Sequence, residues 1–269
     1  MTNSRMWIFA GLVLGVLIAT VPAGAVDVTF AALLDEMTDL ARLAEMPDPP
    51  YTLKQFSSYD RRSTDPTKLT DENWFANGDR GHHLRVEERN GAKEYVLMDA
   101  AGPGAVVHIW SANPVDAGVV RFYLDGAETP AIEMPLASML MAKRELFPAP
   151  ISGMRARGCN SFLPIPYAEH CKVTASQPNF YYHIQYRTYP EDVSVETFSM
   201  ALAQEHEDEI KAVAEALTPQ YARPRGEGTD LSTALTPGAS DSVTVSGGPA
   251  AIVAIEGTVE AEDIEAALR

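Results

Sequence analysis

Residues 101–110 read AGPGAVVHIW and residues 119–126 read VVRFYLDG. The first opens on Gly-Pro-Gly and the second closes on Asp-Gly, and between these turn signals lie runs of Val, Ile, Phe and Tyr. Glycine tolerates the backbone angles a tight turn needs, proline presets its own, and β-branched and aromatic residues favour the pleated strand between them. The same texture runs from about residue 51 to about residue 200. EYVLMDA, CKVTAS and FYYHIQYRTY are further strand-like runs, and NPVDAG, DGAETP, PIP and QPN separate them. Short strands with no helices between them predict an antiparallel sandwich or jelly roll rather than βαβ units. The expected fold is therefore mainly β, a jelly-roll or β-sandwich domain over residues 51–200.

The flanks read differently. Over residues 26–50, TFAALLDEMTDLARLAEM places Phe30, Leu33, Leu34, Met37, Leu40 and Leu43 on one helical face. Thr29 suits the N-cap and PDPP at 47–50 stops the helix. This N-terminal helix is expected to lie on the outside of a larger body. Over residues 201–240 the chain predicts a helical connector, EHEDEIKAVAEAL, with Ile210, Val213, Ala214 and Leu217 inward. A Pro, Gly, Ser and Thr-rich linker follows it. Strand texture resumes over 241–269, where GGPAAIVAI at 247–255 lines up with AGPGAVVHIW. Either a unit is duplicated, making the first domain one of a tandem pair with 241–269 the start of the second, or two ordinary Gly-Pro-then-aliphatic strands coincide.

The 269-residue chain carries a net charge of −16. So negative a surface repels phosphate backbones and anionic lipid headgroups, which argues against nucleic acid and membrane-surface partners. Residues 1–25 carry one Arg, an apolar run from Trp7 to Val21, and Ala23 and Ala25 at small-residue spacing. That order predicts a cleavable signal peptide and a periplasmic or extracellular protein. The alternative, a membrane anchor, requires a longer run than this one. Cys159 and Cys171 would pair in an oxidising compartment or remain as buried thiols, and spacing does not choose between these. A zinc site lacks further ligands at metal-like spacing.

Among polar phrases, SSYDR at 57–61 is the leading ligand candidate. Ser57, Asp60 and Arg61 offer hydroxyl, acceptor and donor fork, which suits a sugar diol, or alternatively an Asp–Arg pair bracing a loop. Trp74, in a polar loop, would offer a flat apolar face to a sugar ring, whereas Trp110 reads as a core or rim residue. Asp65, Asp71, Glu72, Asp79, His82 and His83 form an acidic loop that matches no calcium-binding spacing, so no metal and no cofactor are expected. His108 and His183 read as core or interstrand histidines, and Asp125-Gly126 as a turn.

FSSYDR at 56–61, AGPGAVVHIW at 101–110, RFYLDGAETPAIEMP at 121–135, GCNSFLPIPYAEHCKV at 158–173 and FYYHIQYRTY at 180–189 follow one another in order. Together they resemble the N-terminal part of glycoside hydrolase family 172. The resemblance implies two jelly rolls in tandem, assembly into homo-oligomers (trimers or hexamers), and retaining hydrolysis of α-linked fructofuranosides or D-arabinofuranosides by two glutamates. It places both glutamates beyond Arg269, so no catalytic residue is carried over to this chain. Glu133, in PAIEMP, is read as structural or at the rim. The chain as given, whether a fragment or a natural short form, is expected to be inactive by itself. The alternative is a non-catalytic glycan-binding or trimer-forming sandwich.

Overall fold

Two turns set the frame that the sequence announces. Gly102 has φ 88° and its N–H donates to the Glu169 carbonyl at 2.7 Å. Asp125 and Gly126 both have positive φ, 51° and 73°, in a tight turn just after Leu124 that the Ala127 N–H closes onto the Leu124 carbonyl at 3.0 Å. The structure, a computed structural model, describes residues 27–218 except 66, 71, 74 and 75, together with 239–242, 244, 246 and 247. The expected signal peptide at 1–25 and the phrase at 247–255, Gly247 apart, lie outside the described residues.

Among the described residues, eleven strands form two antiparallel sheets. They are β1 (Thr52–Ser57), β2 (Arg85–Arg89), β3 (Ala92–Ala101), β4 (Gly104–Ser111), β5 (Val119–Leu124), β6 (Ile132–Pro135), β7 (Ser152–Arg155), β8 (Gly158–Ser161), β9 (Ile165–Tyr167), β10 (His170–Ala175) and β11 (His183–Thr188). One sheet runs β1-β11-β4-β8-β7 with β9 also on β4, and the other runs β2-β3-β10-β5-β6. The chain crosses from sheet to sheet at most connections, and inward residues of both sheets meet in one main core: a β-sandwich, as expected. Met98, Val106, Ile109, Phe122, Ile132, Val173, Tyr182 and Ile184 are among its buried members.

The helices contribute buried side chains to the same core. In α1 (Phe30–Asp35), Thr29 caps the helix through its hydroxyl, which accepts from the Ala32 N–H at 3.1 Å. The expected helix through Met46 is not formed as one element. α1 ends at Asp35, a separate 3₁₀ turn spans Ala41–Ala44, and Leu43 is 67 % exposed. Nor does α1 lie outside the body. Phe30 and Leu34 are fully buried in the main core, and Phe30 meets Phe198 edge-on at 5.6 Å. The apolar periodicity was real for its first turn and a half, but only there does the sandwich offer a partner surface. The short helices α2 (Leu136–Leu140) and α3 (Met200–Glu205) precede α4 (Glu207–Ala216), which buries Ile210, Val213 and Ala214 as expected.

Cys159 lies on β8 and Cys171 on β10, in different sheets, and both are buried free thiols. Burial pushes both thiols upward from their ordinary range, so neither is a ready nucleophile or redox centre.

Candidate functional site

A break in strand alternation prepares the outer face of the six-stranded sheet. Along β4, His108 pairs with Gln185 of β11 but the next paired position is Val106 with Tyr186. Val107 is the extra residue of a β-bulge. Val106 and Ile109 stay buried, while Val107 and His108 both reach the outer face. Regular alternation resumes with Trp110, again outward. On β11 the alternation is unbroken: Tyr182, Ile184 and Tyr186 point in, and His183, Gln185 and Arg187 point out.

Two rows of side chains therefore cross the strands. In the first, the His108 ring stacks flat on Phe162 at 4.3 Å, and its Nδ1 lies 3.0 Å from Gln185 Oε1. Its Nε2 lies 3.0 Å from Asn160 Oδ1. The Asn160 amide nitrogen donates to the Gly158 carbonyl at 3.0 Å, which fixes its oxygen toward the imidazole, so Nε2 is the donor of that pair. Gln185 donates onward to Gln55 Oε1 at 3.0 Å. In the second row, Trp110 stands opposite both Asn160 and His183, and the His183 ring lies 4.8 Å from the indole. The indole lies across Gly158, where any side chain would overlap its Nε1. Burial lowers the His183 pKa, His108 adds to the effect, and Asp79 opposes it. A neutral imidazole there presents one N–H donor and one acceptor nitrogen.

The SSYDR loop leaves β1 at this edge. Ser57 stands opposite His183, and Ser58 exchanges backbone and hydroxyl hydrogen bonds with Tyr182. Asp60 is only 2 % exposed, and its carboxylate is already occupied. It accepts from the guanidinium of Arg62, with Nη2 at 2.6 Å, and from the Gly78 N–H at 2.8 Å, while its own N–H donates to Asp79. The Arg62 guanidinium, first among these contacts, holds the Asp60 carboxyl well below the usual carboxylate range. Its ion-pair partner is Arg62, not the adjacent Arg61. Arg61 instead donates to the Tyr59 and Ser57 carbonyls and lies 3.9 Å over the Tyr59 ring. The structure thus brings Ser57, Asp60 and Arg61 to the end of the Trp110–His183 row, with Tyr59 exposed between them. Trp74 lies outside the described residues.

The five-stranded sheet carries a different outer face. Arg85 bridges Glu87 and Asp99, Lys172 reaches Glu87 at 2.8 Å, and His170 reaches Asp99 at 2.6 Å. Glu94, 4 % exposed, accepts from the Tyr123 and Thr174 hydroxyls. Glu133 is ion-paired with Arg121 at 2.9 Å, a rim position as expected. Asp125 accepts from the Glu169 and His170 N–H groups and pins the turn before β10. Burial raises its carboxyl, but these bonds and the Thr197 hydroxyl outweigh that and leave it lowered. This face satisfies its own charges and leaves little to offer a ligand. Among the described residues, no three His, Cys, Asp or Glu side chains are grouped as metal ligands.

The sequence missed Phe162, Asn160, Gln185 and Gln55. Their alternation with buried neighbours was visible, but which strands lie side by side was not.

The fold is an antiparallel sandwich with one face of paired charges and one face of aromatic rings, imidazoles and amides. Residues 49–206 match the first β-sandwich domain of glycoside hydrolase family 172, and the chain belongs to that family. No curated protein matches it in sequence.

Proposed function

We propose that this chain supplies the glycan-contacting first sandwich of an exported, retaining α-furanosidase-type protein, acting on fructofuranosides or D-arabinofuranosides. The observation that carries the reading is the paired row of Trp110 and His183 beside the amide-bonded His108, on a sheet face that the SSYDR loop borders. Ring C–H groups of a sugar pack on aromatic faces, while imidazole and amide groups offer the alternating donors and acceptors that hydroxyls require. Asp60 acts here by shaping the loop that presents Tyr59 and Arg61, and Ser57 by meeting His183 at the sheet edge.

Retaining hydrolysis needs a nucleophilic carboxylate and a carboxylic acid about 5 Å apart. Glu94 and Glu133 share Arg121, at 3.7 and 2.9 Å, but Glu94 is closed beneath Tyr123 and Thr174. The role assigned to the Trp110–His183 face is therefore binding and orientation, with the catalytic carboxylates coming from outside the matched domain. The leader composition supports export, and the family resemblance supports assembly into trimers or hexamers.

Titrating the protein with an α-D-arabinofuranosyl oligosaccharide and following tryptophan fluorescence tests the reading. Saturable quenching that Trp110→Ala and His183→Ala each weaken severalfold is expected. Absence of any saturable response to furanosides, or full binding by both variants, overturns it.

A further inference from the structure

Beyond Phe162 the same face opens into a groove of about 490 Å³, within the size range of small-molecule sites. Its floor is apolar, with Met37, Val107 and Phe162. Val107 is there because of the bulge in β4, which turns it outward beside His108. Among the described residues, Arg42, Arg155 and Arg187 line the groove with a single carboxylate, Glu36.

The charge inventory is uneven. Glu36 Oε2 lies 2.7 Å from both Arg42 Nη2 and Arg187 Nη1, so one carboxylate serves two guanidinium groups. Arg155, exposed at the β7–β8 hairpin, has only the neighbouring Met154 carbonyl as partner among the described residues, at 2.9 Å. Elsewhere Arg62, Arg80 and Arg121 each have an acid of their own, in Arg62–Asp60, Arg80–Asp116 and Arg121–Glu133, while Arg61 and Arg89 lie over aromatic rings. A chain of net charge −16 thus concentrates three cations against one anion around one depression. Arg187 is held in place by the Tyr51 ring, 4.3 Å from its guanidinium, and its side chain is 13 % exposed. It is a fixed feature rather than a solvated surface charge.

We propose that this groove binds a saccharide bearing a carboxylate or phosphate. The planar fork of Arg matches either anion with paired hydrogen bonds. The apolar floor takes the C–H face of the ring. Because Phe162 both lines the groove and stacks on His108, the site extends the glycan face proposed above. That extension rests on the preceding reading, whereas the groove's preference for anions is tested separately from it.

The test is ligand-observed NMR and calorimetry on the full chain with D-glucuronate, α-D-glucose 1-phosphate and methyl α-D-glucoside. Glucuronate or the sugar phosphate is expected to bind at a concentration where the neutral glucoside does not, and the stronger of the two identifies the anion. Arg155→Glu, a change at an exposed residue with no ion pair to lose, should weaken the acidic ligand at least tenfold. The Arg42→Gln/Arg155→Gln double variant should do the same. Both should leave quenching by the neutral furanosyl oligosaccharide unchanged. Equal binding of neutral and acidic sugars, binding of neither acid, or undiminished binding in Arg155→Glu overturns the proposal. Loss of furanoside quenching with acid binding intact would count against the proposed function alone.

Discussion

Asp60 illustrates how a residue chosen for its chemistry can turn out to serve the backbone. Its carboxylate receives the Arg62 guanidinium and the Gly78 N–H, and Gly78 leaves no room for a side chain against it. A carboxylate so bonded has its folded pKa lowered, whereas in the unfolded chain an aspartate titrates at about 3.9. Its contribution is therefore complete above about pH 4 and is lost as pH falls further toward the folded value. Asp60→Asn keeps the shape but weakens every one of these bonds. Hydrogen exchange of the Arg62 and Gly78 amides should speed up on the order of tenfold, as loss of a charge-assisted bond implies. The amides of β4 and β11 should be unaffected. Unchanged exchange at Gly78 would show that the carboxylate does not organise the loop.

At the scale of the element, β4 decides what the outer face offers. Had it alternated without a bulge, Val107 and His108 could not both point outward between buried Val106 and Ile109. Its other end depends on β8, where Gly158 lets the Trp110 indole lie down against the sheet. Gly158 is not in the left-handed region, so replacing it tests space rather than backbone strain. Gly158→Ala should tilt the indole away from the strand and separate it from His183. The expected outcome is a red-shifted tryptophan emission and severalfold weaker furanoside quenching, with little change in thermal midpoint. Emission and quenching identical to the parent would mean that the indole does not rest on this backbone.

The whole molecule is held by a core to which the flanking helices contribute as directly as the strands. Phe30 has no exposed surface and touches Phe198 and His206, and its N–H donates to Glu196 at 2.8 Å. Phe30→Ala should cost about 3–5 kcal/mol through lost burial and the cavity left behind. For a domain of this size that lowers the melting midpoint by roughly 6–20 °C. Calorimetry would check this. A fall of a degree or two would place α1 outside the cooperative unit.

The strand runs, the Asp-Gly turn, the Thr29 cap and the inward face of α4 were legible in the sequence. Each rests on neighbours within a few residues, where turn chemistry and apolar period leave a local signature. The same holds for the β-sandwich class, since short strands without helices between them admit few architectures. Tertiary structure decided what distance along the chain conceals. It set β8, β4, β11 and β1 side by side, so that Phe162, His108, Gln185 and Gln55 form one row from four separate segments. It paired Asp60 with Arg62 and Gly78 rather than with the adjacent Arg61, and it ended α1 where the core ended. Strand order and register follow from the packing of all strands at once. No single stretch of sequence carries that information, because its energy belongs to contacts between segments.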